Sequence, residues 1–177
     1  LVEINQGVID ANRGFGIPGL LDNVNVTVND ARNYLLLTDK TFDIISSEPS
    51  YPAEVSTGNL FTKEFFELAS LRLNPDGVYC QWLPYYLLSD DDVTMMIKTF
   101  GSVFENVYMW KIPHSMDLIL AGSAATFGHA AEEIIERVHA MNRSGFKLAF
   151  VLSRRPEQIR QIILNEPDIP INTDDRP

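Results

Sequence analysis

The residues best suited to chemistry in this chain are three carboxylates, each placed at or just beyond an apolar, strand-like run. Glu3 ends Leu1-Val2, Asp30 follows the alternating Asn23-Val24-Asn25-Val26-Thr27-Val28, and Glu48 follows Phe42-Asp43-Ile44-Ile45-Ser46-Ser47. Open α/β sheets bind their ligands beyond the carboxyl ends of the strands. Glu3 is placed to accept hydrogen bonds from a ribose diol, and Asp30, within Asn29-Asp30-Ala31, can accept from the exocyclic amine of an adenine. For any one such acid helix capping is the commoner use; acids at three successive strand ends point to a site. Glu48 opens the loop Glu48-Pro49-Ser50-Tyr51-Pro52. Its two prolines fix φ and remove backbone donors, so the loop reads as a stiff platform presenting a carboxylate and a phenol.

The elements that must position these residues follow from periodicity and caps. Strands are expected at 1–4, 23–28, 42–46 and 78–83, then at 103–110 and 116–121, the last two as a hairpin through Lys111-Ile112-Pro113-His114-Ser115. The uninterrupted apolar run at 42–46 predicts a strand in the centre of a parallel sheet. Helices are expected at 31–37 behind an Asn29-Asp30 cap, at 61–73, and from Ser89-Asp90-Asp91-Asp92 through Phe100, where the acids suit the helix dipole. Further helices are expected at 130–141 and 156–164. Alternating strands and helices give an α/β fold with a mostly parallel sheet and a C-terminal antiparallel hairpin. The organisation expected is one domain over 1–177, with 124–177 as a helical C-terminal extension. Because the chain begins directly on an apolar strand with no methionine, it reads as an N-terminally truncated, excised domain.

Composition narrows the partners. With 177 residues, 45% hydrophobic and 21% charged, the chain has the make-up of an ordinary globular domain. Its net charge of −10 disfavours a nucleic-acid backbone and favours small cations such as amines. The single cysteine, Cys80, sits in Gly77-Val78-Tyr79-Cys80-Gln81-Trp82 and reads as buried packing in a reducing compartment, so a cytoplasmic location is expected. Three scattered histidines (His114, His129 and His139) offer no paired ligand spacing, and no metal is expected. No window approaches a membrane span, and no signal segment opens the chain.

Several of these stretches together resemble the spermidine synthase (polyamine aminopropyltransferase) family: Val2-Glu3-Ile4-Asn5, Asn29-Asp30-Ala31-Arg32, the loop from Phe42 to Pro52, Asn59-Leu60-Phe61-Thr62-Lys63-Glu64-Phe65-Phe66, and Leu73-Asn74-Pro75-Asp76-Gly77-Val78-Tyr79-Cys80-Gln81-Trp82. The likeness is greatest to bacterial spermidine-synthase-like domains fused to membrane transporter-like segments, whose C-terminal signature Asn172-Thr173-Asp174-Asp175-Arg176-Pro177 resembles. The resemblance implies the Rossmann-like fold of S-adenosylmethionine-dependent methyltransferases. It implies transfer of an aminopropyl group from decarboxylated S-adenosylmethionine to a diamine such as putrescine. Glu3 would match the ribose-binding acid, and Asp30 with Ala31 the adenine site. Glu48 would match the first aspartate of the Asp-Ser-Ser-Asp-Pro loop, the base that deprotonates the attacking amine, with Ser50, Tyr51 and Gln81 on the substrate side.

The chain departs from the family in two ways. Tyr51 stands where the family has its second aspartate, and Glu48 is one methylene longer than aspartate. The glycine-rich loop expected before Glu3, and its central strand, are missing from these residues, which predicts weak cofactor binding or pairing with another copy as a homodimer; the resemblance to the fused branch implies tethering to a membrane segment in a longer polypeptide. Two other readings follow from the same residues. Glu48-Pro49-Ser50-Tyr51 loosely resembles the Asn-Pro-Pro-Tyr loop of amine methyltransferases, which would use ordinary S-adenosylmethionine. A non-catalytic cofactor-binding or regulatory module is the third, favoured by the missing acid at position 51.

Overall fold

The computed structural model describes residues 1–15, 19, 21–86, 88–111, 114–125, 151–154 and 156–175. They fall into two compact units, Leu1–Lys40 and Thr41–Pro177, where one domain is expected from the sequence.

In the first unit, strand β1 (Val2–Glu3) pairs in parallel with β2 (Thr27–Val28), in the register Val2 to Thr27 and Glu3 to Val28. Helix α1 (Gln6–Phe15) follows β1, and α2 (Ala31–Leu37) follows β2. Only the last two residues of the alternating 23–28 stretch pair as a strand. The alternation Asn-Val-Asn-Val places an apolar residue on every second position, but pairing needs a neighbour, and β1 is two residues long. Helix α2 has the bounds its cap predicts, because the Asp30 carboxylate accepts from the Asn33 backbone N–H at 2.8 Å and fixes the first turn.

The second unit is built on a five-stranded mixed sheet in the order β3-β4-β6-β5-β7. Its strands are β3 (Phe42–Ser47), β4 (Leu73–Pro84), β5 (Asn106–Lys111), β6 (Asp117–Ser123) and β7 (Val151–Arg154). Only β3 and β4 run parallel in this sheet; β6 is antiparallel to both β4 and β5, and β7 is antiparallel to β5. The hairpin expected from the sequence forms, with β6 reaching past β5 to pair with β4. The strand expected at the sheet's centre, β3, is instead an edge strand of this unit, paired only with β4 among the described residues, and its Ile44 is 68% exposed. An apolar run records that a strand suits burial, but the neighbour that buries it is a tertiary matter.

Two further differences have local causes. Asn74-Pro75-Asp76-Gly77, which reads as a turn ending a helix, lies inside β4: the register jumps from Phe42 opposite Leu73 to Ile44 opposite Val78, and the extra residues bulge. A Cβ on Gly77 would lie 2.9 Å from the backbone oxygens of both Asn74 and Phe42, so the bulge requires glycine there. The helix expected at 61–73 is accordingly shorter, α4 (Lys63–Ser70), preceded by a single turn, α3 (Val55–Gly58). The C-terminal part is not purely helical, since β7 joins the sheet before α6 (Pro156–Asn165). The helix expected at 130–141 lies outside the described residues.

Helix α5 (Asp90–Val103) starts with a complete capping box between Ser89 and Asp92. Its hydrogen bonds from Ser89 hold the Asp92 carboxyl below the usual carboxylate range. Helices α4 and α5 deliver Phe65, Phe66, Phe100 and Phe104 around Tyr79 of β4, with centroids 4.7 to 6.5 Å apart. Gly122 of β6 makes room for them: a Cβ there would come within 2.4 Å of Phe104 Cγ and 2.7 Å of Phe100 Cε1. Neither ring can step aside in a packed core. Gly122→Ala is expected to cost about 1–3 kcal/mol, read as a lowered urea midpoint at unchanged slope; an unchanged midpoint would show that the aromatic cluster is slack.

Candidate active site

The first unit brings Glu3 and Asp30 to one edge. Parallel pairing of β1 with β2 puts both carboxyl ends on the same side, and the Glu3 carbonyl accepts from Asn29 N–H at 3.1 Å, fixing the chain just before Asp30. Each acid also has a local task. Glu3 Oε1 accepts from the Asn5 N–H at 2.8 Å, and Asp30 Oδ1 caps α2, with half-buried Ala31 as its first residue. Capping and ligand binding are compatible, because an ionised carboxylate has about four lone-pair sites and each of these contacts uses one. The pair therefore suits a ligand rich in hydroxyl and amine donors, such as a nucleoside.

The second unit places Glu48 one residue beyond the end of β3, exposed, on a loop whose two prolines, Pro49 and Pro52, are both buried. Buried prolines at both ends anchor the loop and leave Glu48 and Ser50 in solvent. The Tyr51 carbonyl accepts from Glu54 N–H at 3.2 Å and from the Thr57 hydroxyl. Half-buried Tyr51 stacks on Tyr86, beyond the end of β4, with centroids 5.6 Å apart and planes within 13°. Such an offset pair is worth about 0.5–1.5 kcal/mol beyond area burial. It ties the loops after β3 and β4 together and presents π-faces beside the Glu48 loop. Next to it, Lys111 Nζ lies 5.7 Å from the centre of the Tyr85 ring.

Gln81 is placed differently from a side chain facing substrate. It is 1% exposed, its Oε1 accepts from the Tyr79 hydroxyl at 2.7 Å, and its Nε2 donates to the Trp82 carbonyl at 2.9 Å. The Tyr79 hydroxyl also hydrogen-bonds the Ser47 side chain. Ser47, Tyr79 and Gln81 thus form a polar chain across the parallel β3–β4 pair, buried at Tyr79 and Gln81 and half-buried at Ser47, which lies opposite Gln81. Burial pushes the Tyr79 phenol far up, so it stays protonated and remains a donor. This chain fixes the end of β3 on which Glu48 is mounted. It was detectable in sequence only as polar residues two apart on one face of a strand; the Ser47 partner required knowing the register.

Cys80 lies on the opposite face, where burial raises its thiol pKa and leaves an inert packing group. Among the described residues no group of three or more His, Cys, Asp or Glu could hold a metal ion, and no helix is long and apolar enough to cross a membrane.

Residues 1–122 match the family model of the spermine/spermidine synthase domain. The chain is 30% identical over 158 residues to the polyamine aminopropyltransferase of Klebsiella pneumoniae strain 342, covering 80% of this chain and 54% of that protein. It spans about half the length of the curated relatives it matches. Its fold is similar to a probable spermidine synthase from Corynebacterium glutamicum, with a TM-score of 0.68 at 21% identity over 98% of this chain and 62% of that one. Human methyltransferase-like protein 13, solved in complex with SAH, matches with a TM-score of 0.65 at 19% identity over 84% of this chain and 71% of that one.

Proposed function

The chain belongs to the spermine/spermidine synthase family, and from that premise we propose that it serves aminopropyl transfer from decarboxylated S-adenosylmethionine to a small amine of the putrescine class. The observation that carries this reading is the loop after β3, an exposed carboxylate on a proline-anchored platform beside a stacked aromatic pair.

The chemistry asks three things of the chain. The donor's ribose and adenine need acceptors, which Glu3 and Asp30 supply at one strand edge. The attacking amine must be neutral, yet an alkylammonium has a pKa of about 10.4 by analogy with lysine, so Glu48 takes its proton. The nitrogen lone pair then forms a bond to the carbon beside the sulfonium, and the carbon–sulfur bond breaks with its electrons remaining on sulfur as a neutral thioether. The positive charges of sulfonium and ammonium suit the π-faces of Tyr51 and Tyr86, a contact worth about 0.5–2 kcal/mol. Ser50, exposed beside Tyr51, offers a hydroxyl to the same amine. No metal is needed, because the sulfonium is already an activated leaving group. The lone thiol suits the reducing cytoplasm. Attachment to a membrane segment belongs to the same proposal on the strength of the family resemblance, and homodimer formation is proposed beside it; a monomer by light scattering removes the latter.

One observation favours a second reading: a methyltransferase shares the fold, in which Glu48-Pro49-Ser50-Tyr51 resembles an amine-clamping loop. In a non-catalytic module, by contrast, Glu48 would have no proton to take. Incubating the full chain with putrescine and either decarboxylated or ordinary S-adenosylmethionine, then weighing the products, decides. Aminopropylated putrescine is the expected product. A methylated amine supports the second reading, and failure of either nucleoside to bind by calorimetry removes both enzymatic ones.

A further inference from the structure

The C-terminal stretch 166–174 has no part in the chemistry above, yet its buried polar contacts lead back to the loop that carries Glu48. Asn172 is 2% exposed and makes three hydrogen bonds, to the start of α4, the residue before its cap and the interior of α5: its N–H donates to Thr99 Oγ1 at 2.8 Å, its Nδ2 donates to the Phe61 carbonyl at 3.1 Å, and its carbonyl accepts from Lys63 N–H at 2.9 Å. Asp174 Oδ1 accepts from the Thr62 hydroxyl at 2.8 Å, and the Asp174 N–H donates to Glu64 Oε2 at 3.0 Å. Thr62 is the N-cap of α4, fully buried, its Oγ1 also accepting from Phe65 N–H. Behind this strap the buried Lys98 ammonium donates to the carbonyls of Glu166 and Ile169, fixing where the strap leaves α6.

From Phe61 the hydrogen bonds run back without a gap. The Phe61 N–H donates to Gly58 O at 3.0 Å, Gly58 N–H donates to Glu54 O at 2.8 Å, and Glu54 N–H and the Thr57 hydroxyl both donate to Tyr51 O. The carboxyl end of the 48–61 loop is therefore held by the strap, while its start is held by β3. At that end Asn172 bonds both Phe61 and Thr99, joining the loop to the middle of α5. These bonds are buried, where directional polar contacts resist rearrangement because an unmade one leaves a desolvated group.

We propose that Asn172 and Asp174 are positioning residues, which clamp the far end of the 48–61 loop so that Glu48 and Tyr51 meet substrate in one conformation. This rests on the aminopropyl-transfer reading for its consequence in rate, but the clamp itself can be read without any reaction.

The test uses the full chain and hydrogen–deuterium exchange measured by mass spectrometry on peptides covering 48–60. Asn172→Ala and Thr62→Val should each raise exchange in that loop about tenfold or more. Thr62→Ser, which keeps the hydroxyl, and Arg160→Ala, on the exposed side of α6, should leave it unchanged. In parallel, kcat for aminopropyl transfer should fall about 10- to 100-fold in the first two variants, since a misplacement near 1 Å costs on that order, with the donor's KM moving less. If the loop exchanges as in the parent while only 166–175 loosens, or if all core peptides accelerate equally, the strap merely closes the fold and the proposal is wrong. Should Asn172→Ala fail to fold, the contrast between Thr62→Val and Thr62→Ser decides alone. Faster loop exchange in a protein that transfers no aminopropyl group keeps the clamp and removes the functional reading; an active protein with unchanged loop exchange does the reverse.

Discussion

Replacing Glu48 by glutamine is expected to lower aminopropyl transfer about 10²- to 10⁴-fold at neutral pH, the usual contribution of a positioned general base. Glutamine keeps the length and one oxygen but cannot take a proton. At pH 7 an amine of pKa about 10.4 is neutral in roughly one molecule per 10³, so a site without a base must wait for that minor form. The sign with pH follows. As pH rises toward 10 the amine deprotonates in solution, and the variant should recover while the parent gains little, so the two rates converge. A deficit below about tenfold, or one that does not shrink with rising pH, would show that Glu48 is not the base. Because Glu48 is exposed and one residue beyond the strand, the substitution should leave stability within about 0.5 kcal/mol, which separates chemistry from folding.

Phe100→Ala acts on the opposite ledger. Phe100 is fully buried, at 5.1 Å from Phe66, 4.7 Å from Phe104 and 5.8 Å from Tyr79, centroid to centroid. Truncating such a side chain removes its transfer free energy and leaves a cavity, about 3–5 kcal/mol together, against a total stability on the order of 5–15 kcal/mol. The urea midpoint should drop by about a fifth or more of its value, whereas Leu71→Ala, on an exposed side chain, should hardly move it. The effect should also reach the site, because Tyr79 rests against Phe100 and its hydroxyl joins Ser47 to Gln81 below Glu48. A midpoint lowered by less than about 1 kcal/mol equivalent would show that the cluster repacks around the loss.

The local devices of this protein are legible without a structure. The Asp30 carboxylate capping α2 and the Ser89–Asp92 box opening α5 act through residues three apart, so spacing alone reveals them. The same holds for the stiff Glu48-Pro49-Ser50-Tyr51-Pro52 loop, whose prolines are anchored as their chemistry suggests. The hairpin of β5 and β6 follows from two apolar runs separated in sequence by Lys111-Ile112-Pro113-His114-Ser115. What a strand pairs with is another matter. That β3 is an edge of its unit, that β6 sits between β4 and β5, and that Val151–Arg154 is a strand at all depend on neighbours far away in sequence.

The site divides along the same line. Sequence by itself determined which acids end which strands, that a tyrosine stands near Glu48 where a second acid is expected, and the family to which these motifs belong. Only tertiary structure decided that Tyr51 stacks on Tyr86, that Gln81 is spent on Tyr79 inside the core, and that Asn172 reaches back across 111 positions to the Phe61 carbonyl. The reason is physical: caps, turns and proline stiffness are set by φ, ψ and side chains within one or two turns of chain, whereas stacking and buried hydrogen bonds exist only once packing has brought distant residues within a few ångström.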